Sequence, residues 1–228
     1  MTSIGIVIPC YNEGIGLRKL IERCSNSFDS RVTYLLVNNG STDNSKDVLN
    51  QNRLPSNVKV LHLEKNVGYG CGIVQGLKFL ETDYVGWTHA DLQTDPADVL
   101  KFLRHIEDGA DFMKGARIGR PLFDRIFTAG MSLVVSVLFL RGLKDVNAQP
   151  TIFRRELMEH WGAPPNDFAL DLYAYLVALK TNSFIKREDV AFGPRQWGNS
   201  HWNRGLVSRL RFIRRTLKFA IRLRVNFR

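Results

Sequence analysis

Short runs of β-branched and aromatic residues alternate with helix-length segments through the first half of this chain, and that alternation constrains the fold more than any other feature. The runs are Gly5 to Ile8, Thr33 to Val37, Val58 to Leu63, Asp83 to Thr88 and Asp111 to Lys114. Between them, Leu17 to Cys24, Asp43 to Gln51, Cys71 to Leu80 and Pro96 to Glu107 carry apolar residues at helical spacing. Strand, helix, strand in this order is the pattern of an α/β protein, a mostly parallel sheet flanked by helices, and it excludes sandwiches and bundles. Ligands of such sheets bind outside the carboxyl ends of the strands. Here those ends lead into polar loops: Pro9-Cys-Tyr-Asn-Glu13, Asn38-Asn-Gly-Ser-Thr-Asp43, Lys65-Asn-Val-Gly-Tyr-Gly70 and His89-Ala-Asp-Leu-Gln93. Four loops are expected to converge on one edge.

The second half reads differently. An amphipathic or buried helix, Leu122 to Arg141, is followed by a loop with Asp145, a short strand around Thr151 to Phe153, helices around Glu156 and Asp171, and a strand from Ser183 to Val190. This half is expected to cap the sheet rather than extend it. With 228 residues, 44% hydrophobic and 24% charged, one substantial core is expected, and disordered, collagenous and heptad classes are excluded. Cys10, Cys24 and Cys71 have no C-x-x-C spacing, so a disulfide framework is not indicated and a reducing, cytoplasmic compartment is expected. No signal peptide is readable at the N-terminus, and the longest apolar stretch, Phe127 to Leu140, falls short of the roughly 20 residues that span a bilayer.

The net charge of +10 is concentrated at one end. Nine of the 32 basic residues lie between Trp202 and Arg228, with no acid among them, leaving 23 bases against 22 acids before that point. The division expected is a catalytic domain over 1–201 and a basic amphipathic tail over 202–228. Leu206, Leu210, Ile213, Leu217, Ala220 and Ile221 recur at helical spacing between the arginines. A basic amphipathic helix of this kind suits an anionic membrane surface, through Arg204 to Arg228, better than nucleic acid, for which no binding module is present. The structural alternative is a helix packed on the domain by its apolar stripe; pairing of two chains through that stripe, a homo-oligomer, is a further one.

Among the loops, His89-Ala-Asp91-Leu-Gln93 is the most specific. Alternate side chains of an extended backbone point the same way, so imidazole, carboxylate and amide oxygen could address one cation; Asp91 as a helix cap is the alternative. In the Asn38-to-Asp43 loop, capping by Ser41 or Asp43 competes with a carboxamide that pairs with a nucleotide base. Gly68-Tyr-Gly70-Cys-Gly72 fails the dinucleotide fingerprint, because position 73 is Ile73. Glycine-permitted close approach of backbone to a ligand or to a neighbouring strand survives.

In this order, the loops resemble those of the family 2 glycosyltransferases of GT-A fold, within them the dolichyl-phosphate mannose synthase-like, polyprenyl-phosphate branch. Ile8-Pro-Cys-Tyr-Asn-Glu13 is similar to the opening nucleotide-binding motif, Val37-Asn-Asn-Gly-Ser-Thr-Asp43 to V-D-D-G-S-x-D, Asn66-Val-Gly-Tyr-Gly70 to N-x-G-x-G, and Ala90-Asp-Leu-Gln-Thr-Asp-Pro96 to the D-A-D-L-Q-x-x-P metal segment. Gly115-Ala-Arg117 resembles G-x-R, Asp145-Val-Asn-Ala-Gln-Pro150 the loop after the amphipathic helix, and Arg195-Gln-Trp-Gly-Asn-Ser200 the closing R-x-x-G-x-S. The resemblance implies a GT-A-like nucleotide-sugar domain that transfers a sugar, with inversion, from a GDP- or UDP-linked donor to the phosphate of a membrane polyprenol, peripheral on the cytosolic face.

By the same resemblance, Pro9, Tyr11, Glu13, Asn38, Asn39, Gly68 and Ala90 would hold the nucleotide. Asp91 and Gln93, with His89, would hold a divalent cation, magnesium or manganese. Arg117 and Arg195 would act with Asp91 in catalysis by neutralising the donor and acceptor phosphates, and Arg125 and Ser200 would join them at the acceptor phosphate. Asp171, with Asp167 nearby, stands close to where other family 2 enzymes carry a base and would matter for a hydroxyl acceptor. The sequence departs from the family pattern at His89, where the first D-x-D aspartate stands, and at Asn38-Asn39, in place of an acidic pair. Imidazole at position 89 would favour manganese or leave a water in the carboxylate's place. Two alternatives accompany the main expectation: a family 2 transferase forming a glycosidic bond in a polysaccharide or glycolipid, and a non-catalytic nucleotide-sugar-binding protein at a membrane.

Overall fold

Ile4, Ile6 and Ile8 point to one face of the first strand and Val7 to the other, and all four are fully buried. A strand that is apolar on both faces belongs in the interior of a sheet covered by helices on each side. The computed structural model describes residues 1–51, 53–194, 214 and 217–224. Its elements are Ile4–Cys10 (β1), Gly14–Asn26 (α1), Val32–Asn39 (β2), Ser45–Gln51 (α2), Val58–Leu63 (β3), Tyr69–Phe79 (α3) and Tyr84–Trp87 (β4). After a 3-10 segment Pro96–Phe102 come Leu103–Glu107 (α4), Phe112–Ile118 (β5), Leu122–Phe139 (α5) and Thr151–Arg154 (β6). A second 3-10 segment, Arg155–His160, precedes Leu170–Lys180 (α6) and Ile185–Ala191 (β7).

All seven strands expected from sequence are present in one sheet, in the order β3-β2-β1-β4-β6-β5-β7. β3, β2, β1 and β4 are mutually parallel, with Ile8 opposite Leu36 and Val7 opposite Trp87. The second half does not merely cap this sheet, as the sequence had suggested. β6 inserts antiparallel between β4 and β5, so that Thr151 faces both Trp87 and Lys114, and β7 extends the sheet parallel to β5. The reason is visible in β6 itself: Thr151, Ile152 and Phe153 are buried, and backbone groups buried on both sides need ladder partners on both sides. β5 also runs four residues further than expected, because Gly115 to Ile118 pair with Glu188 to Ala191.

One core cluster joins Val7, Leu35, Trp87, Phe112 and Phe153 to α3 and α6; the other joins Ile4, Ile6, Ile8, Tyr34 and Leu36 to α1 and α4. α1 places Leu17, Leu20, Ile21 and Cys24 inward, the spacing of a helix stripe against a sheet. α6 is buried on every side from Leu170 to Ala178, as a helix apolar all round must be. The expected helix Pro96 to Glu107 is 3-10 for its first seven residues, where the Asp95 carboxylate accepts the Ala97 N–H and Pro96 occupies the first turn. Of the tail, residues 214 and 217–224 are helical; Ala220 and Leu223 are buried in the cluster that contains Val135 and Phe139 of α5, while Arg222 and Ile221 are exposed. That packing matches the structural alternative for this stretch. Most of 202–228, and with it the greater part of the expected membrane-facing tail, lies outside the described residues.

Candidate active site

Because β1 to β4 are parallel, the loops that follow them emerge at one edge, and hydrogen bonds lock them together there. Asn12, at φ 56, accepts the Thr42 N–H on its carboxamide oxygen at 2.8 Å, and its own N–H donates to the Ser41 hydroxyl at 3.0 Å. Asp43 bridges two helix starts, accepting from Ser45 N–H and from Gly14 N–H, each at 3.0 Å. Burial raises the Asp43 carboxyl, but these donors outweigh it and hold it below the usual carboxylate range. Pro9 and Tyr11 border this double loop, Tyr11 exposed and Pro9 half-buried. Glu13 lies close enough to the buried Cys10 that, after desolvation, its charge is the next influence raising that thiol.

Asn38 and Asn39, expected to face a nucleotide base, are instead committed inward. Both are nearly fully buried. Asn38 donates to His62 Nδ1 at 3.1 Å and accepts the Ser41 N–H, and His62 Nε2 meets the Asn50 amide oxygen at 3.1 Å. Asn39 donates to the Gly68 carbonyl at 3.0 Å and accepts the Val67 N–H at 3.1 Å. A carboxamide supplies donor and acceptor at once, so one residue braces the neighbouring loop where a carboxylate could only accept. Gly68, at φ 92, caps α3, and a Cβ there would lie 2.5 Å from the Asn166 carbonyl oxygen. Its bare Cα admits the loop before α6.

The Asp91 segment follows β4. Asp91 accepts the Gln93 N–H at 3.1 Å in a local turn, with Leu92 at φ 54, and Thr88 and Thr94 hydroxyls close its base. Gln93 donates its side-chain N–H to the Gly193 carbonyl at 3.2 Å, which leaves the amide oxygen as the atom that could meet a cation, while Gly193 N–H returns a bond to the Gln93 carbonyl at 2.8 Å. This pins the segment that leads to Arg195. His89 and Ala90 are half-buried beside Asp91. Among the described residues, no three His, Cys, Asp or Glu side chains gather as a metal site.

Asp171, expected as a base for a hydroxyl acceptor, is a buried anchor. It is 1% exposed, and Oδ1 accepts from Trp87 Nε1 at 3.2 Å and from Lys114 Nζ at 3.3 Å. A base has to reach the proton it removes, and this carboxylate is occupied beneath the cleft. Lys114 Nζ also donates to Thr151 Oγ1 at 2.7 Å. Burial pulls the Lys114 ammonium down to about 8, against the opposing pull of Asp171. Asp167 likewise serves structure, accepting the Ala169 N–H at the start of α6.

Arg117 sits where β5 leaves the sheet at this same edge. Its backbone N–H and Nε both donate to Asp145, the Nε at 3.0 Å, its NH2 group forms a further ion pair with the same carboxylate, and its guanidinium lies 5.2 Å from the centre of the Phe192 ring. Arg120 covers the same ring at 5.5 Å and donates to Thr128. Arg187 on β7 holds the loop from below, through the Lys144 and Gly115 carbonyls at 2.6 and 2.7 Å. A groove of about 480 Å³ opens here. Arg117, Arg120, Arg125, Lys144 and Asp145 line it together with Ala129, Leu133 and Leu143. Arg117 and Arg125 were legible in the sequence; Arg120, Arg187 and Lys114 were not, the last signalled only by a lysine inside an apolar strand. Arg195 and Ser200 lie outside the described residues.

On the outer face of α5, Leu122, Ile126, Leu133 and Val137, with Leu140 just past its end, are each more than 60% exposed. At about 100° per residue they fall within an arc of about 60°. No helix among the described residues is long and apolar enough to cross a membrane.

The chain is similar in sequence to undecaprenyl-phosphate 4-deoxy-4-formamido-L-arabinose transferases: 25% identical over 217 residues to that of Proteus mirabilis, covering 89% of this chain and 64% of the relative, and 26% identical over 213 residues to that of Serratia proteamaculans, covering 88% and 63%. It thus spans a little under two thirds of the length of these relatives. In fold it is similar to glucosyl-3-phosphoglycerate synthase from Mycobacterium tuberculosis, solved with Mn2+, UDP-glucose and phosphoglyceric acid, with a TM-score of 0.77 over 98% of this chain and 79% of that one at 17% identity. The α/β architecture is therefore GT-A-like, as expected. The model of Glycosyl transferase family 2 matches residues 5–162, through the four loops, Arg117 and the loop of Asp145, and the chain belongs to that family.

Proposed function

We propose that this chain is an inverting glycosyltransferase that moves a sugar from a nucleoside diphosphate to the phosphate of a membrane polyprenol. The observation that carries the reading is the groove between α5 and the loop of Asp145: it is lined by both arginines and apolar side chains, and Arg117 stands in it at the carboxyl end of β5, the same sheet edge as the loops of β1 to β4. That is the complement of an amphiphile with a phosphate head. The similarity to undecaprenyl-phosphate sugar transferases supports it.

The donor's nucleoside is assigned to the double loop of Tyr11, Glu13 and Asp43, and its diphosphate to Asp91. A divalent cation is bound in many phosphate sites by one or two carboxylates and the substrate's own phosphates; one carboxylate fixed by its Gln93 turn, with no larger acidic cluster among the described residues, fits that arrangement. Asp91 would hold such a cation, which would supply positive charge against the leaving diphosphate. His89 stands beside Asp91 as the candidate that shifts preference from magnesium to manganese.

An oxygen of the acceptor phosphate attacks the anomeric carbon from the side opposite the diphosphate; that carbon–oxygen bond forms as the one to the nucleoside diphosphate breaks, and configuration inverts. The acceptor is anionic near neutral pH, so no proton has to be removed. The chain's part is positioning and charge neutralisation. Arg120 and Arg125 face the acceptor phosphate, and Arg117, oriented by Asp145, completes the basic lining of the groove. The exposed apolar arc of α5, flanked by Arg125 and Arg141, is assigned to the lipid surface and supports a peripheral enzyme, which we propose acts on the cytosolic face. A hydroxyl acceptor has less support, since Asp171 is buried.

The test is incubation with liposomes containing polyprenyl phosphate, a panel of labelled GDP- and UDP-sugars, and magnesium or manganese. Lipid-extractable label that disappears in Asp91→Ala is expected. Donor binding without transfer to any acceptor would leave the non-catalytic alternative.

A further inference from the structure

Gln149 is 1% exposed, and its carboxamide has a single partner among the described residues, the Tyr69 hydroxyl at 2.6 Å; its oxygen, Oε1, is buried with none. Turning the amide over leaves the nitrogen unpartnered instead, so in either orientation one polar atom has no hydrogen-bond partner among the described residues. Leaving such an atom unmatched costs about 1–3 kcal/mol, and the topology shows where it lies. β6 runs antiparallel to β4, so the residues before Thr151 stand beyond the carboxyl end of β4, where the Asp91 segment begins. Tyr69 comes to the same place from the β3–α3 loop, and after burial the charges of Asp171 and Asp91 are felt at its phenol, which is held well above its ordinary value and stays protonated.

Both groups are held in place. Tyr69 stacks on Phe168, centroids 4.1 Å apart and nearly coplanar. The Gln149 backbone is pressed against β5: Gly115 N–H donates to the Pro150 carbonyl at 2.9 Å, and a Cβ on Gly115 would lie 2.5 Å from the Gln149 carbonyl oxygen. A held amide with one end satisfied and the other buried without a hydrogen-bond partner is matched by a group that can donate or accept. A sugar hydroxyl does both.

We propose that Gln149, oriented by Tyr69, reads a hydroxyl of the donor sugar beside Asp91 and so contributes to the choice of sugar. This rests on the donor assignment made above. A site built to bond a hydroxyl rejects an analogue that lacks it, because the buried polar atom is then left unmatched.

The test is calorimetric binding of nucleoside diphosphates and of matching nucleotide sugars, including deoxy-sugar analogues, to wild type, Gln149→Leu and Tyr69→Phe. Wild type is expected to bind one nucleotide sugar about tenfold more tightly than the bare nucleotide, and to lose that increment with one particular deoxy analogue. In Gln149→Leu the increment is lost while affinity for the bare nucleotide stays within about twofold; Tyr69→Phe, which keeps the ring stack, loses part of it. An unchanged increment in Gln149→Leu, as a water-filled site would give, overturns the proposal and leaves the donor assignment standing. A parallel fall in bare-nucleotide affinity also overturns it, since the effect is then not on the sugar. A wild type that binds no nucleotide overturns the donor assignment itself and this proposal with it.

Discussion

Lys114 is a charged residue in the middle of a buried strand, and the whole of its environment follows from that choice. Nothing inside a sheet satisfies an ammonium unless the sequence supplies it elsewhere; Asp171 and Thr151 accept from it, and Trp87 donates to the same Asp171 oxygen. Removing one partner of such a buried pair leaves an uncompensated charge, so Asp171→Asn is expected to destabilise the fold by about 3 kcal/mol. Lys114→Met with Asp171→Leu should recover most of that, measured by denaturant unfolding; a catalytic base would instead show a fall in turnover with stability unchanged. Asp145 makes a second testable pair. Burial raises its carboxyl, but the hydrogen bonds and charge of Arg117 outweigh burial and hold it below the ordinary carboxylate range. Its contribution to stability is therefore complete above the unfolded pKa of about 3.9 and is lost as pH falls through the lower folded value. The unfolding midpoint should drop at acid pH more steeply in wild type than in Asp145→Asn. At the candidate metal, His89→Asp should raise the ratio of magnesium- to manganese-supported activity; an unchanged ratio would show that position 89 does not reach the cation. The motif positions at Asp91 and Arg117 were legible from residue order alone. The inward commitment of Asn38 and Asn39 was not, because a carboxamide at a strand end suits a ligand and a brace equally well, and only the partners His62 and Gly68 decide.

At the scale of elements, the strands were legible because β-branched runs bounded by turns have few other uses. Their pairing was not. β6 is four residues long and differs little from a loop in sequence, yet its insertion between β4 and β5 places Gln149 beyond the carboxyl end of β4 and Asp145 against Arg117. The Asp145-to-Pro150 loop thus runs from the basic groove to the Asp91 side, and a helix followed by a polar loop does not announce that path. α5 carries the opposite lesson: its periodicity was plain, but which apolar residues face outward depends on the partners of Val135 and Phe139 in the core. Since Leu133 and Val137 are exposed, Leu133→Glu with Val137→Glu should leave the thermal midpoint within about a degree or two while strongly reducing co-sedimentation with anionic vesicles. Retained vesicle binding would remove α5 from the membrane account.

The molecule as a whole divides its charge. The body up to residue 201 is nearly neutral, the segment from Trp202 to Arg228 holds nine bases and no acid, and the groove adds a local excess of arginines. Attraction of such cations to an anionic surface adds about 1 kcal/mol each and is screened over about 8 Å at physiological ionic strength. Vesicle binding should therefore weaken progressively between 0.05 and 0.5 M salt, at roughly constant thermal stability; binding indifferent to salt would mean that the apolar arc acts alone. Donor loops, basic groove, apolar arc and basic tail are the features on which the proposed transfer from a nucleotide sugar to a lipid phosphate rests. The measurement that tests this most directly is the linkage in the product. Mass spectrometry of the lipid extract should show the polyprenyl phosphate plus one sugar residue, with the sugar released by mild acid as a glycosyl phosphate is. An acid-stable glycoside on a hydroxyl, formed with the same dependence on Asp91, would contradict the account.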